Sequence, residues 1–140
     1  MLDIYSNNVT VPEQSPIPFN STNVDKGNDG VTRQGTVTVQ FNKCGVFKVD
    51  FHATAIAGTA GTITTQLRKN GILQPQAVSS QTATDTTSSY ALSFSTLVQV
   101  DRNNCRCNMC SIPVTIDVFN NSTIPVTFSV ADVVVTPVSR

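Results

Sequence analysis

Apolar and polar residues alternate along most of the chain in short runs broken by turn residues, the period of half-buried strands. Val37, Val39 and Phe41 alternate with Thr36, Thr38 and Gln40. After a turn at Lys43 to Gly45, Phe47, Val49, Phe51, Ala53 and Ala55 form the inward face of a longer strand, whose other face carries Lys48, Asp50, His52 and Thr54. A small-residue turn at Gly58 to Gly61 leads to a strand over Ile63 to Leu67. Asn70-Gly71 predicts a hairpin, because both residue types tolerate the positive φ of a type I′ turn. Tyr90, Leu92, Phe94, Val98 and Val100 share the inward face of the next strand, and Val114, Ile116 and Val118 that of another. Asn120-Asn121 then turns the chain into a last strand from Ile124 to Val135.

The stretches Asn20 to Gly30 and Ser79 to Ser89 read as polar loops. Residues 1–30 are the least regular. Val9 to Val11 and Ile17 to Phe19 read as short edge strands interrupted by Pro12, Pro16 and Pro18, which cannot donate to a ladder. About eight to ten strands and no helix predict a single antiparallel sandwich. Residues 1–20 form an N-terminal arm, a candidate anchor, and residues 21–140 the domain proper.

Two features depart from a sandwich with one wet face. Val46, Ile56, Leu97 and Phe119 are apolar but out of phase with the core positions of their strands. Val133, Val134 and Val135 do not alternate, as in strands buried on both sides. Together they predict a second buried surface, a subunit interface.

Composition sharpens this. The chain has 140 residues, with 19 Val and 19 Thr against five Leu, one Glu and no Trp. Val and Thr favour the pleated sheet, and good helix formers are scarce. Nine basic and nine acidic residues cancel, which excludes nucleic-acid binding through bulk positive charge. No apolar run approaches the length of a membrane span, and the first residues lack a leader's basic and apolar regions. The expectation is a protein made in a cytoplasm and released, if at all, by lysis. The sequons at Asn8, Asn20, Asn120 and Asn121 carry little weight in so Asn/Ser/Thr-rich a chain.

The segment Phe41-Asn42-Lys43-Cys44-Gly45-Val46-Phe47-Lys48-Val49-Asp50-Phe51-His52-Ala53 resembles a motif of the C1q and tumour-necrosis-factor-like domains, as do Gln66-Leu67-Arg68-Lys69-Asn70-Gly71 and Thr96 to Val100. These cover about the middle half of the chain in the family's order. Val49 stands where the family has an aromatic, and the family's closing motif is here Val133 to Pro137. The resemblance implies a jelly roll of about ten strands and a homotrimer, and carries over no ligand residue. The chain is similar to the small C1q-like proteins of tailed phages and bacterial surfaces. That implies a non-enzymatic virion protein, a head fibre or capsid decoration. Its partners would be itself, other capsid or fibre components and a host-surface glycan or protein. The alternative is a bacterial adhesion or carbohydrate-binding module, which the absence of Trp and the presence of only two Tyr weaken.

Candidate chemistry is sparse. Cys105, Cys107 and Cys110 lie within six residues, and Cys44 lies in a separate turn. Four thiolates suit a structural zinc ion, although only one C-x₂-C spacing is present. Disulfides and reduced thiols are the other readings, and in each the cysteines pin a loop. Cys–His catalysis would depend on His52, the one histidine, which lies on the outward face by phase. On a threefold axis, three copies of His52 could bind a metal or respond to pH. Asp25 and Asp29 lack the spacing of a calcium loop, and no paired carboxylates, phosphate loop or nucleophile elbow is evident. The expectation is no catalytic residue and no cofactor beyond that zinc.

Overall fold

The structure, a computed structural model, describes residues 1–26, 30–101, 105–106, 109–110 and 113–139, with backbone only at 105, 106, 109, 110 and 139. The chain runs through β1 (Leu2–Val11), β2 (Ser15–Pro16), β3 (Ser21–Asp25), β4 (Val31–Gln34), β5 (Thr38–Phe41) and β6 (Gly45–Ala57). It continues through β7 (Gly61–Lys69), β8 (Ile72–Ala83), β9 (Tyr90–Val100), β10 (Cys105–Arg106), β11 (Met109–Cys110), β12 (Val114–Asn120) and β13 (Val126–Ser139). One sheet has the order β3-β1-β13-β6-β9, and the other β4-β5-β12-β7-β8 with β2 beside β12. All pairings are antiparallel, so the chain is an all-β jelly-roll sandwich. Among the described residues there is no helix, and so none long and apolar enough to cross a membrane.

The core lies between the sheets and follows the alternation. Phe47, Val49, Phe51, Ala53, Ala55 and Ala57 of β6 are buried, as are Leu92, Phe94, Val98 and Val100 of β9 and Val114, Ile116 and Val118 of β12. Phe51 and Phe94 stack at 5.1 Å between ring centroids, and Phe41 meets Phe47 at 4.7 Å across the turn that holds Cys44. Such aromatic pairs add to the burial that drives the sheets together.

Three stretches differ from the sequence expectation. Residues 2–11 form one ten-residue strand inside the sheet, where short edge strands were expected. The inward set is Leu2, Ile4 and a serine, Ser6, which breaks the apolar pattern. Ser6 is satisfied in place, since its hydroxyl donates to the Pro18 carbonyl at 2.7 Å and accepts the Asn20 N–H at 2.7 Å. The prolines that suggested irregularity fit because they alternate: Ile17 N–H donates to Val118 and Phe19 N–H to Thr36. Pro16 and Pro18 then occupy positions whose missing donors face away.

The expected loop at 20–30 contains β3, whose polar residues pair with β1 at the sheet edge. The expected loop at 79–89 begins only after Ala83, because β8 pairs with β7 as far as Gly61↔Ala83. What remains of it is tightened by Asp85, which accepts hydrogen bonds from the Thr87 and Ser88 backbone N–H groups. Those bonds hold the exposed Asp85 carboxyl below its ordinary pKa.

Candidate interaction face

Strand alternation that buries one set of residues points the other outward, and the two outer faces of the sandwich differ in kind. The second sheet pairs polar groups on its own face, while its edge strand β8 exposes Ile72, Leu73 and Val78. Arg68 of β7 donates through Nε and Nη2 to the two carboxylate oxygens of Asp117 on β12, at 2.8 and 2.6 Å. Its guanidinium also lies 4.2 Å from the centroid of the Phe119 ring. Hydrogen bonding to Asp117 raises the Arg68 pKa above its ordinary value. Gln66 accepts from the Asn121 amide, and Gln40, Asn42 and Thr32 form a chain of side-chain bonds. Phe119 is thus half-buried beneath this chain's own arginine and does not join Val46, Ile56 and Leu97 in a common surface, as the sequence suggested.

The first sheet leaves its outer face less complete. Register sets its rows: Tyr5, Asp132, His52 and Ser93 lie side by side, with Asp3, Val134, Asp50 and Ser95 in the next row. Asn7, Val130, Thr54 and Ala91 flank them on one side, and Thr136, Lys48 and Leu97 on the other. Val134 is half-buried on this face while Val133 and Val135 enter the core, so within one copy β13 is not equally buried on both sides. Leu97 is 59% exposed.

A polar cluster sits among these apolar residues. His52 Nε2 lies 3.6 Å from Asp132 Oδ2, and Lys48 Nζ 3.8 Å from Asp50 Oδ2. Asn23 of β3 donates to Asp3 Oδ2 at 2.8 Å. The Oδ1 atoms of Asp3 and Asp132 are both shielded from water and, with the carboxyls ionised, face no donor, so a hydrogen bond between the two carboxyls exists only when one of them holds a proton. Burial, then the hydrogen bond with Asp3 and its charge, push the Asp132 carboxyl up to about 7. The sequence placed His52 outward correctly. It could not find Asp3 and Asp132, which are 129 positions apart in the chain and meet only through the β1–β13 register.

Of the four candidate zinc ligands, Cys44 is half-buried at the foot of the segment that carries the others, and its thiol lies 3.7 Å from the Asp101 carbonyl oxygen. The backbones of Cys105 and Cys110 pair across β10 and β11. Cys107 and the side chains of Cys105 and Cys110 lie outside the described residues, as does Asp29. Among the described residues no three His, Cys, Asp or Glu side chains gather around a common metal position. His52 and Cys44 do not form a dyad: at about 3.3 Å per strand residue, the seven steps along β6 from Gly45 to His52 carry them roughly 23 Å apart.

No protein-family model and no curated protein matches the chain. Solved structures do. The Eiger TNF of S. frugiperda superimposes with a TM-score of 0.70 at 11% identity, covering 98% of this chain and 92% of that one. Murine APRIL, at pH 5.0, gives 0.63 at 8% identity, covering 96% and 98%. The PRD1 vertex protein P5 gives 0.56 at 12% identity, covering 98% and 95%. The fold defined by strand order and register is therefore the TNF-like jelly roll, over the whole chain and at identities that speak to fold alone.

Proposed function

We propose that the chain is a non-enzymatic structural module of a tailed-phage virion, a homotrimeric head fibre or capsid decoration, with its outer loops available for a host surface. The observation that carries the self-association is the outer face of the first sheet. It presents Leu97, Val130, Val134 and Tyr5 around carboxyl oxygens that are dry yet unpartnered, whereas the opposite face satisfies its own polar groups. An exposed Leu97 and half-buried Tyr5, Val130 and Val134 beside incompletely paired carboxyls suit a surface that a second chain covers. The resemblance to C1q and TNF-like domains supports a threefold arrangement, and the likeness to a phage vertex protein supports the virion. The role is then mechanical: the core holds the sandwich rigid, the first sheet joins copies, and the loops face outward.

The test has two parts. Light scattering on the full chain gives its absolute mass, and three times 15.0 kDa is expected. Co-sedimentation with purified phage capsids and with host-cell envelopes then separates a particle component from an adhesion module. A monomer at all concentrations overturns the trimer, and binding to envelopes without capsids overturns the virion assignment.

A further inference from the structure

We propose that copies of this chain associate through the outer face of the first sheet with uptake of protons at the Asp3–Asp132–His52 cluster, so that the assembly tightens in mild acid and loosens above neutrality. The inference rests on the self-association proposed above and adds its regulation.

The geometry carries it. Asp132 is central on β13, flanked by Tyr5 and Asp3 from β1 and by His52, Asp50 and Lys48 from β6. Beyond β6, β9 contributes Ser93 and Ser95 in the same rows, and beyond β1, β3 contributes Asn23. Lys48 is the nearer partner of Asp50, which leaves His52 as the cation available to Asp132. His52 is charged only when protonated.

With both aspartates ionised and His52 neutral, this trio carries two negative charges, and the two shielded Oδ1 atoms face no donor. One proton shared between the carboxyls removes a charge and supplies a donor. A facing copy would strip the remaining water from the cluster, and the cost of doing so rises steeply with uncompensated charge. The associated state therefore holds protons more tightly than the free chain, and by linkage association strengthens as pH falls. The raised Asp132 carboxyl, at about 7, places the change near neutrality.

Sedimentation velocity of the full chain across about pH 5.5 to 8.5 at fixed ionic strength tests this, with Asp132→Asn alongside. The wild-type dissociation constant should rise about tenfold or more between the acid and alkaline ends, and D132N, which keeps the shape without the charge, should lose most of that dependence and stay assembled at high pH. An assembly equally tight at every pH overturns the proton coupling and leaves the trimer standing. A monomer under all conditions overturns both. Should D132N fail to fold, the ¹³C shift of the Asp132 carboxyl in the wild-type chain decides. A midpoint near neutrality supports the coupling, and one in the ordinary carboxylate range overturns it.

Discussion

Asp132 and His52 face each other across β13 and β6, with Nε2 and Oδ2 3.6 Å apart, yet the Asp132 carboxyl is shifted up. A histidine partner alone would favour the ionised carboxylate. Burial and the second carboxyl, Asp3, outweigh it. The first prediction follows from the sign of that shift. The folded chain retains a proton on Asp132 that the unfolded chain releases at the ordinary carboxylate pKa near 4. Stability from this group is therefore fully present below about pH 4, declines as pH rises to about 7, and is level above. Urea midpoints measured at one protein concentration should fall across that window. The slope should flatten in Asp132→Asn.

Asn120 is a buried polar tie. Its amide nitrogen lies 3.3 Å from the Val11 carbonyl, 3.1 Å from that of Pro12 and 3.4 Å from that of Ile124, joining the end of β1 to the turn before β13. Asn120→Ala should cost about 2 kcal/mol, because the carbonyls lose their donor while staying shielded. Asn120→Asp should cost more at neutral pH, since a carboxylate would face the same oxygens, and part of the loss should return in acid. Chemical denaturation of both variants at two pH values checks the order.

At the β7–β8 hairpin, Asn70 has φ 53° and Gly71 φ 80°. Asn70 also anchors the turn: its N–H donates to the Thr115 carbonyl at 2.8 Å, and its side-chain oxygen accepts the Thr115 N–H at 2.9 Å. Asn70→Gly keeps the conformation and loses the side-chain bond, for about 1 kcal/mol. Asn70→Ala adds the strain of positive φ and should cost about 1 kcal/mol more. An alanine variant as stable as the glycine variant would contradict this account.

Arg68 serves Asp117 and Phe119 at once. Arg68→Lys keeps the charge and loses the paired fork and the flat stacking surface, so a loss of about 1 kcal/mol is expected. A double-mutant cycle with Phe119→Leu should return a coupling of about 0.5 kcal/mol or more, and a cycle that closes at zero would remove the ring from the argument.

The inward positions of β6, β9 and β12 were legible because period-2 alternation writes burial directly into residue order, and the Asn70-Gly71 hairpin because its backbone admits few residue types. β1 was not, since its inward Ser6 is polar and its partners, Pro18 and Asn20, are supplied by a later segment. The end of β8 was missed because its residues beyond Val78 are almost all small and polar, and pairing with β7 alone makes them a strand.

What the sequence determined by itself was therefore the class of the fold: alternating apolar residues, abundant Val and Thr and well-placed turns admit little except an antiparallel sandwich. The tertiary structure decided which outward residues meet. Phase assigns a side chain to a face, but only register places Asp3 beside Asp132, His52 opposite it, and Arg68 over Phe119. The two outer faces looked alike in residue order and became different, one self-satisfied and one left with dry acceptors, because long-range strand pairing sets distances that local periodicity does not contain.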